Sequence, residues 1–132
     1  MNKLSLNQNK LMEIPLELGQ LSNLRYFYLH DNQLETVPKE LGQLVNLEEL
    51  SLHQNRLTAV PPELGQLANL TTLTLSYNQL TAVPSELGQL ANLATLDLNR
   101  NPLNSEFAAA YEQGFNAVKS YLKAQGHWLP SG

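Results

Sequence analysis

His30, Asp31 and His53 are the residues whose types could hold a metal ion, and the two histidines stand 23 positions apart. Zinc takes imidazole and carboxylate donors. A closed structural site uses four of them, and a catalytic site uses three backed by outer partners. Two histidines and one aspartate are one donor short of the first and show no outer partners for the second, so the sequence predicts solvated histidines, no bound metal and no cofactor. Nucleophilic chemistry is no better supplied. The chain has no cysteine, hence no thiol nucleophile, thiolate ligand or disulfide. It has no G-x-S-x-G motif. Ser51 lies near His53, and Asp97 lies two repeats beyond Ser51, but such a set needs an enclosing cleft as well as a base. The expectation is a chain that is not an enzyme.

A repeat must position these residues, and periodicity governs the whole reading. Asn9, Asn32, Asn55, Asn78 and Asn101 are spaced 23 residues apart. The shared pattern is L-x-x-L-x-L-x-x-N-x-L-x-x-V-P-x-E-L-G-Q-L-x-N. Its L-x-L portion alternates at period two, the mark of a short strand with one buried face. Strands that recur in one direction pair in parallel, and each parallel pair needs a crossover. In the repeat starting at Leu47 the crossover supplies Leu57, Val60, Leu64 and Leu67, which must meet Leu50 and Leu52 from the other side. The interior is then a stack of leucine columns.

The P-x-E-L-G segments read as single α or 3₁₀ turns at 15–18, 38–41, 61–64 and 84–87. Proline fits the first helical position, Glu suits the positive end of the turn, and Gly is expected to make a left-handed exit. The Asn column places an amide, with two donors and an acceptor, where the chain leaves the sheet and backbone groups lose their partners. Its expected role is a structural ladder. The Glu17, Glu40, Glu63, Glu86 column belongs to the turns, and the Gln20, Gln43, Gln66, Gln89 column to a solvated edge.

On these columns the chain resembles leucine-rich repeat proteins of the 23-residue bacterial and intracellular class. The match runs over residues 1–103, as four full turns and part of a fifth. The resemblance implies an α/β fold: a right-handed solenoid with a short parallel sheet on its concave side. It also implies a non-catalytic, protein-binding surface. Beyond Leu103 the pattern stops and helical spacing begins, with Phe107, Tyr111, Phe115, Val118 and Leu122 on one stripe. Asn104 or Ser105 can cap the start. Gly114 divides the segment into two short helices, and Gly126 and Pro130 end the second. Residues 104–132 are therefore read as a helical C-terminal cap and tail, which a solenoid needs to cover its last coil. The stretch NPLNSEFAAAYEQGFNAVKSYL is also similar to the junction between repeats and GTPase in Roco-type proteins. That similarity implies an alternative role as a regulatory or self-associating segment. No G-x-x-x-x-G-K-[ST] loop accompanies it.

Side chains between the buried leucines must point out of the sheet. They form rows: Lys3, Tyr26, Glu49, Thr72, Thr95; then Ser5, Tyr28, Ser51, Thr74, Asp97; then Asn7, His30, His53, Ser76, Asn99. Gln8, Asp31, Gln54, Tyr77 and Arg100 follow. Here the repeats differ while the core stays uniform, as a recognition surface requires. Tyr26, Tyr28, His30, Glu49, His53, Thr72, Tyr77, Asp97 and Arg100 are the candidate contacts, since tyrosine gives contact area at small entropic cost. A protein or peptide is the expected ligand. Nucleic acid is not expected, because eight scattered Lys and Arg at net charge −4 make no phosphate-tracking patch. No apolar run suits a membrane span or a signal peptide, which points to a cytoplasmic protein. Met1 occupies the first apolar position of a repeat, so the strand at 3–6 should present an open edge. The expectation is weak two-fold self-association, a homodimer through that edge.

Overall fold

A computed structural model describes residues 1–126 of the 132. Five three-residue strands, β1 (Lys3–Ser5), β2 (Tyr26–Tyr28), β3 (Glu49–Ser51), β4 (Thr72–Thr74) and β5 (Thr95–Asp97), form one parallel sheet in sequence order. Leu4, Phe27, Leu50, Leu73 and Leu96 lie in register across it. With Leu29, Leu52, Leu75 and Leu98 behind them, and crossover residues such as Leu57, Val60, Leu64 and Leu67 opposite, they make one continuous apolar core. Burying each leucine contributes about 1.5–3 kcal/mol. This is an α/β leucine-rich solenoid, and its register carries every outward row into alignment.

Each crossover holds a five-residue 3₁₀ turn: Leu16–Gln20, Lys39–Gln43, Pro62–Gln66 and Ser85–Gln89. Pro15, Pro38, Pro61 and Pro84 precede these turns as extended N-caps rather than first helical residues; Pro62 alone opens a turn from within. The expected left-handed glycine exit does not occur. Gly114, at φ 108°, is the one glycine with positive φ among the described residues. The repeat glycines serve close approach instead. A Cβ on Gly19 or Gly42 would stand 2.5 Å from the carbonyl oxygen of Glu40 or Glu63 in the next coil. Left-handed geometry falls on Gln8, Asp31, Gln54, Tyr77 and Arg100, each directly before a column asparagine.

Those corners explain the Asn column. The Asn55 amide donates to Leu29 O at 3.1 Å and Leu52 O at 3.0 Å, and accepts from Leu34 N at 3.1 Å. Asn78 repeats the set with Leu52 O, Leu75 O and Leu57 N. Leu52 O thus receives two amides, and successive corners interlock. Asn32 and Asn101 follow the same plan. A second, more exposed amide ladder runs along the opposite ends of the strands. There Asn46, Asn69 and Asn92 donate to Ser22 O, Val45 O and Ala68 O.

Helices α1 (Ser105–Glu112) and α2 (Phe115–Gln125) cap the last coil. Asn104 is the cap residue: its side chain accepts from Phe107 N at 2.9 Å and donates to Thr81 O at 3.1 Å. Phe107, Val118 and Leu122 are buried, Tyr111 and Phe115 half-buried, and Phe107 stacks on Tyr121 with centroids 5.4 Å apart. Tyr111 closes the sheet edge. In earlier coils Leu29 N, Leu52 N and Leu75 N donate to carbonyls of the next strand; Leu98 N donates instead to Tyr111 Oη at 3.0 Å. Gly126 ends α2. Pro130, assigned a terminating role above, lies outside the described residues. At the other end Leu4, Leu6 and Leu11 are only half-buried. Among the described residues no helix is long and apolar enough to cross a membrane.

Candidate functional site

The sheet's outward face carries a connected band of polar and aromatic side chains across its first four strands. It begins with Lys3, whose Nζ lies 5.4 Å from the centroid of the Tyr28 ring, within reach of a cation–π attraction. Tyr28 Oη donates to Glu49 Oε2 at 3.0 Å. The Tyr28 ring meets His30 edge-on at 6.2 Å. His30 stacks on His53 at 4.4 Å with only 8° between the planes. His53 Nδ1 in turn hydrogen-bonds Thr74 Oγ1 at 3.0 Å. Alignment on the 23-residue period makes this band possible, because neighbours in one row come from successive coils.

The electrostatics follow from partial burial. Burial, and then the hydrogen bond and charge of Glu49, raise the Tyr28 pKa above the ordinary phenol value. Tyr28 therefore stays protonated and keeps its donor role. Burial, and next the neighbouring His30, lower the His53 pKa below the ordinary histidine value; Asp31 and Asp97 pull the other way but do not prevail. His53 is thus held neutral. His30 Nδ1 is buried and has no hydrogen-bond partner.

The candidate residues separate into four groups. Tyr28, Glu49, His30 and His53 are brought together. Tyr26 and Thr72 flank Glu49 in the same row, in register with it. Asp97 is half-buried on β5, and its carboxylate accepts from Asn99 N at 3.1 Å. Tyr77 and Arg100 lie past the strand ends at left-handed corners, and Tyr77 is 55% exposed. The candidate contacts read from the rows omit Lys3 and Thr74, although the row spacing could have found them, and Asp31 entered only as a metal donor. Lys3 pairs with Tyr26 in register, and Thr74 lies one coil beyond His53, in the row below.

A polar groove of about 550 Å³ lies away from this band, at the N-terminal ends of the strands. Arg25, Glu48, Thr71 and the second asparagine ladder line it. Its groups are already engaged: Arg25 Nε bonds Glu48 Oε2 at 2.6 Å, and Thr71 Oγ1 donates to Glu48 O at 3.0 Å. The Arg25–Glu48 pair is solvent-exposed, where such pairs contribute about 0–1 kcal/mol. This groove reads as part of the scaffold.

Comparison with known proteins agrees with this architecture. The family described as "Leucine-rich repeat region" matches residues 4–112. A leucine-rich repeat protein of Leptospira interrogans is 50% identical, with a TM-score of 0.75 over 76% of this chain and 26% of its own. An internalin of Listeria monocytogenes is 28% identical, with a TM-score of 0.68 over 80% of this chain and 30% of its own. The chain thus spans well under half the length of either structure. No curated protein matches it. A 23-residue period, an in-register parallel sheet and an interlocked asparagine ladder, together with a family match over most of the sequence, lead to one assignment: the chain belongs to the leucine-rich repeat family.

Proposed function

We propose that this chain is a non-catalytic recognition module that binds a protein or peptide through the concave, outward face of its sheet. The observation that carries the reading is the band from Lys3 through Tyr28, Glu49, His30 and His53 to Thr74. It is ordered by mutual contacts before any ligand arrives, so little side-chain entropy is lost on binding. Its chemistry varies from coil to coil over an invariant core. Membership of the leucine-rich repeat family supports a protein-binding role, and the outward residues form an open face rather than an enclosed cleft. The matched family and the two structures above lend no support to the Roco-type alternative.

The test is cross-linking capture of a partner, followed by affinity measurement with the Tyr26→Ala, Tyr28→Ala double variant. Anchoring aromatics lose roughly 1–2 kcal/mol or more each on truncation. Unchanged affinity, with circular dichroism intact, would reject this face as the binding surface. Two-fold self-association through the N-terminal edge belongs to the same proposal, because Leu4, Leu6 and Leu11 are only half-buried there. Light scattering over a concentration series decides it, and a monomer mass retained into the millimolar range removes it.

A further inference from the structure

We propose that His30, Asp31 and His53 form a binding site for a divalent transition-metal ion of the zinc type, and this does not rest on the recognition reading. Each residue offers one donor atom, and the three donors lie within 4.8 Å of one another. The placement is built by the fold. The two imidazoles come from successive coils whose strands are locked in register at Tyr28 and Ser51. Asp31 is turned beside them by the left-handed corner, at φ 59°.

Three further features fit a metal better than a solvated pair. First, His53 Nδ1 is taken by Thr74 Oγ1 at 3.0 Å, so Nε2 is left for an ion. Metal-binding histidines are ordinarily oriented in this way, by an outer partner on the second nitrogen. Second, His30 Nδ1 is buried without a partner, a state that folded proteins seldom keep. Turning the ring towards an ion relieves it, since that nitrogen either ligates or leaves its dry position. Third, two imidazoles and one carboxylate suit zinc, nickel or copper, whereas calcium and magnesium require mainly oxygen.

The geometry also says what must move. A ligating imidazole holds its metal in the ring plane, and two rings only 8° from parallel cannot point at one ion. Donors on a tetrahedral zinc stand about 3.4 Å apart, closer than the outer limit seen here. Side-chain rotation must open the stack before both rings can face one ion. Three protein donors leave the fourth position to water.

The experiment is calorimetric titration of the full chain with zinc chloride, with histidine ring resonances followed by NMR. One saturable site is expected, with the His30 and His53 resonances shifted together. The sequence holds three histidines; the third, His127, lies outside the described residues, and His127→Gln should leave the affinity unchanged. His30→Gln or His53→Gln should abolish the saturable site. Asp31→Asn, which keeps a residue tolerant of the left-handed corner, should weaken it. Thr74→Val should lower affinity by roughly ten- to a hundredfold by freeing the His53 ring. No saturable binding overturns the proposal, as does binding that survives His53→Gln in a folded protein or is lost with His127→Gln.

Discussion

Asn55 and His53 are two residues apart in one coil and do opposite things. The Asn55 amide is buried and spends its hydrogen bonds on four backbone groups in two coils. His53 is half-buried on the outward face, with one bond to a neighbouring hydroxyl. The same contrast separates the two rows as wholes. Asn32, Asn55, Asn78 and Asn101 make the same set of bonds, whereas the outward row reads Asn7, His30, His53, Ser76, Asn99. A polar group consumed by the backbone cannot vary without unfolding its corner. A polar group that borders solvent can take any chemistry the function asks for. The boundary between fixed and variable chemistry therefore runs along the plane of the sheet.

The largest effect is expected from Asn78→Ala. It orphans the buried Leu57 N–H, at about 1–3 kcal/mol, and removes the two amide hydrogens shared among Leu52 O, Leu75 O and Ser76 O, at about 0.5–1.5 kcal/mol per hydrogen. A destabilisation of roughly 2–6 kcal/mol should appear as a lower urea midpoint. Thr72→Ala on the outward face should stay within about 0.5 kcal/mol of the parent. Equal effects from the two would erase the boundary.

Gly42→Ala comes next. The new Cβ would stand 2.5 Å from Glu63 O, and that backbone must shift, so overpacking should cost roughly 1–3 kcal/mol. A midpoint like that of the parent would show that the coils are not in close contact there. Tyr111→Phe acts at the cap by removing the hydroxyl that stands in for a sixth strand's carbonyl. The expected loss is about 1 kcal/mol, with faster amide exchange at Leu98 N. Slow exchange retained at Leu98 would show that another acceptor closes the edge.

The smallest effect concerns pH on the outward face. Folding lowers the His53 pKa from its ordinary 6.5, chiefly by burial. The unfolded chain thus takes up this proton more readily than the folded one. Stability is fully present above the unfolded value and declines as pH falls through it towards the lower folded value. With EDTA present to exclude metal, the urea midpoint should fall between about pH 7.5 and about pH 5, and His53→Gln should flatten part of that slope. An identical pH profile in the variant would show that His53 titrates as it does in water.

The repeat was legible because both of its periods are sequence properties. Alternation at period two fixes which leucines turn inwards, and 23-residue spacing fixes which of them stack. The Asn column could be read for the same reason: a polar amide recurring among leucines must meet backbone groups that lack partners. The glycine role was misread because a local rule about helix exits was applied where the deciding contact comes from the next coil. Nothing within P-x-E-L-G records that Glu63 O will lie 2.5 Å from a Cβ on Gly42. Proline at the N-cap rather than in the first helical position is a one-residue shift of the kind local propensity resolves poorly.

By itself the sequence determined the number of coils, the buried columns, the parallel sheet, the outward rows and the helical cap stripe. Each follows from chain periodicity and from the need to bury leucine while pairing every backbone group. Tertiary structure alone decided which outward residues touch, that Tyr111 closes the edge of β5, and that left-handed geometry falls on residues such as Asp31. It alone stacked the His30 ring on His53 and set the donor distances to Asp31. These are relations between coils, set by side-chain torsions and by how closely neighbouring turns approach, and period and pattern do not specify either quantity.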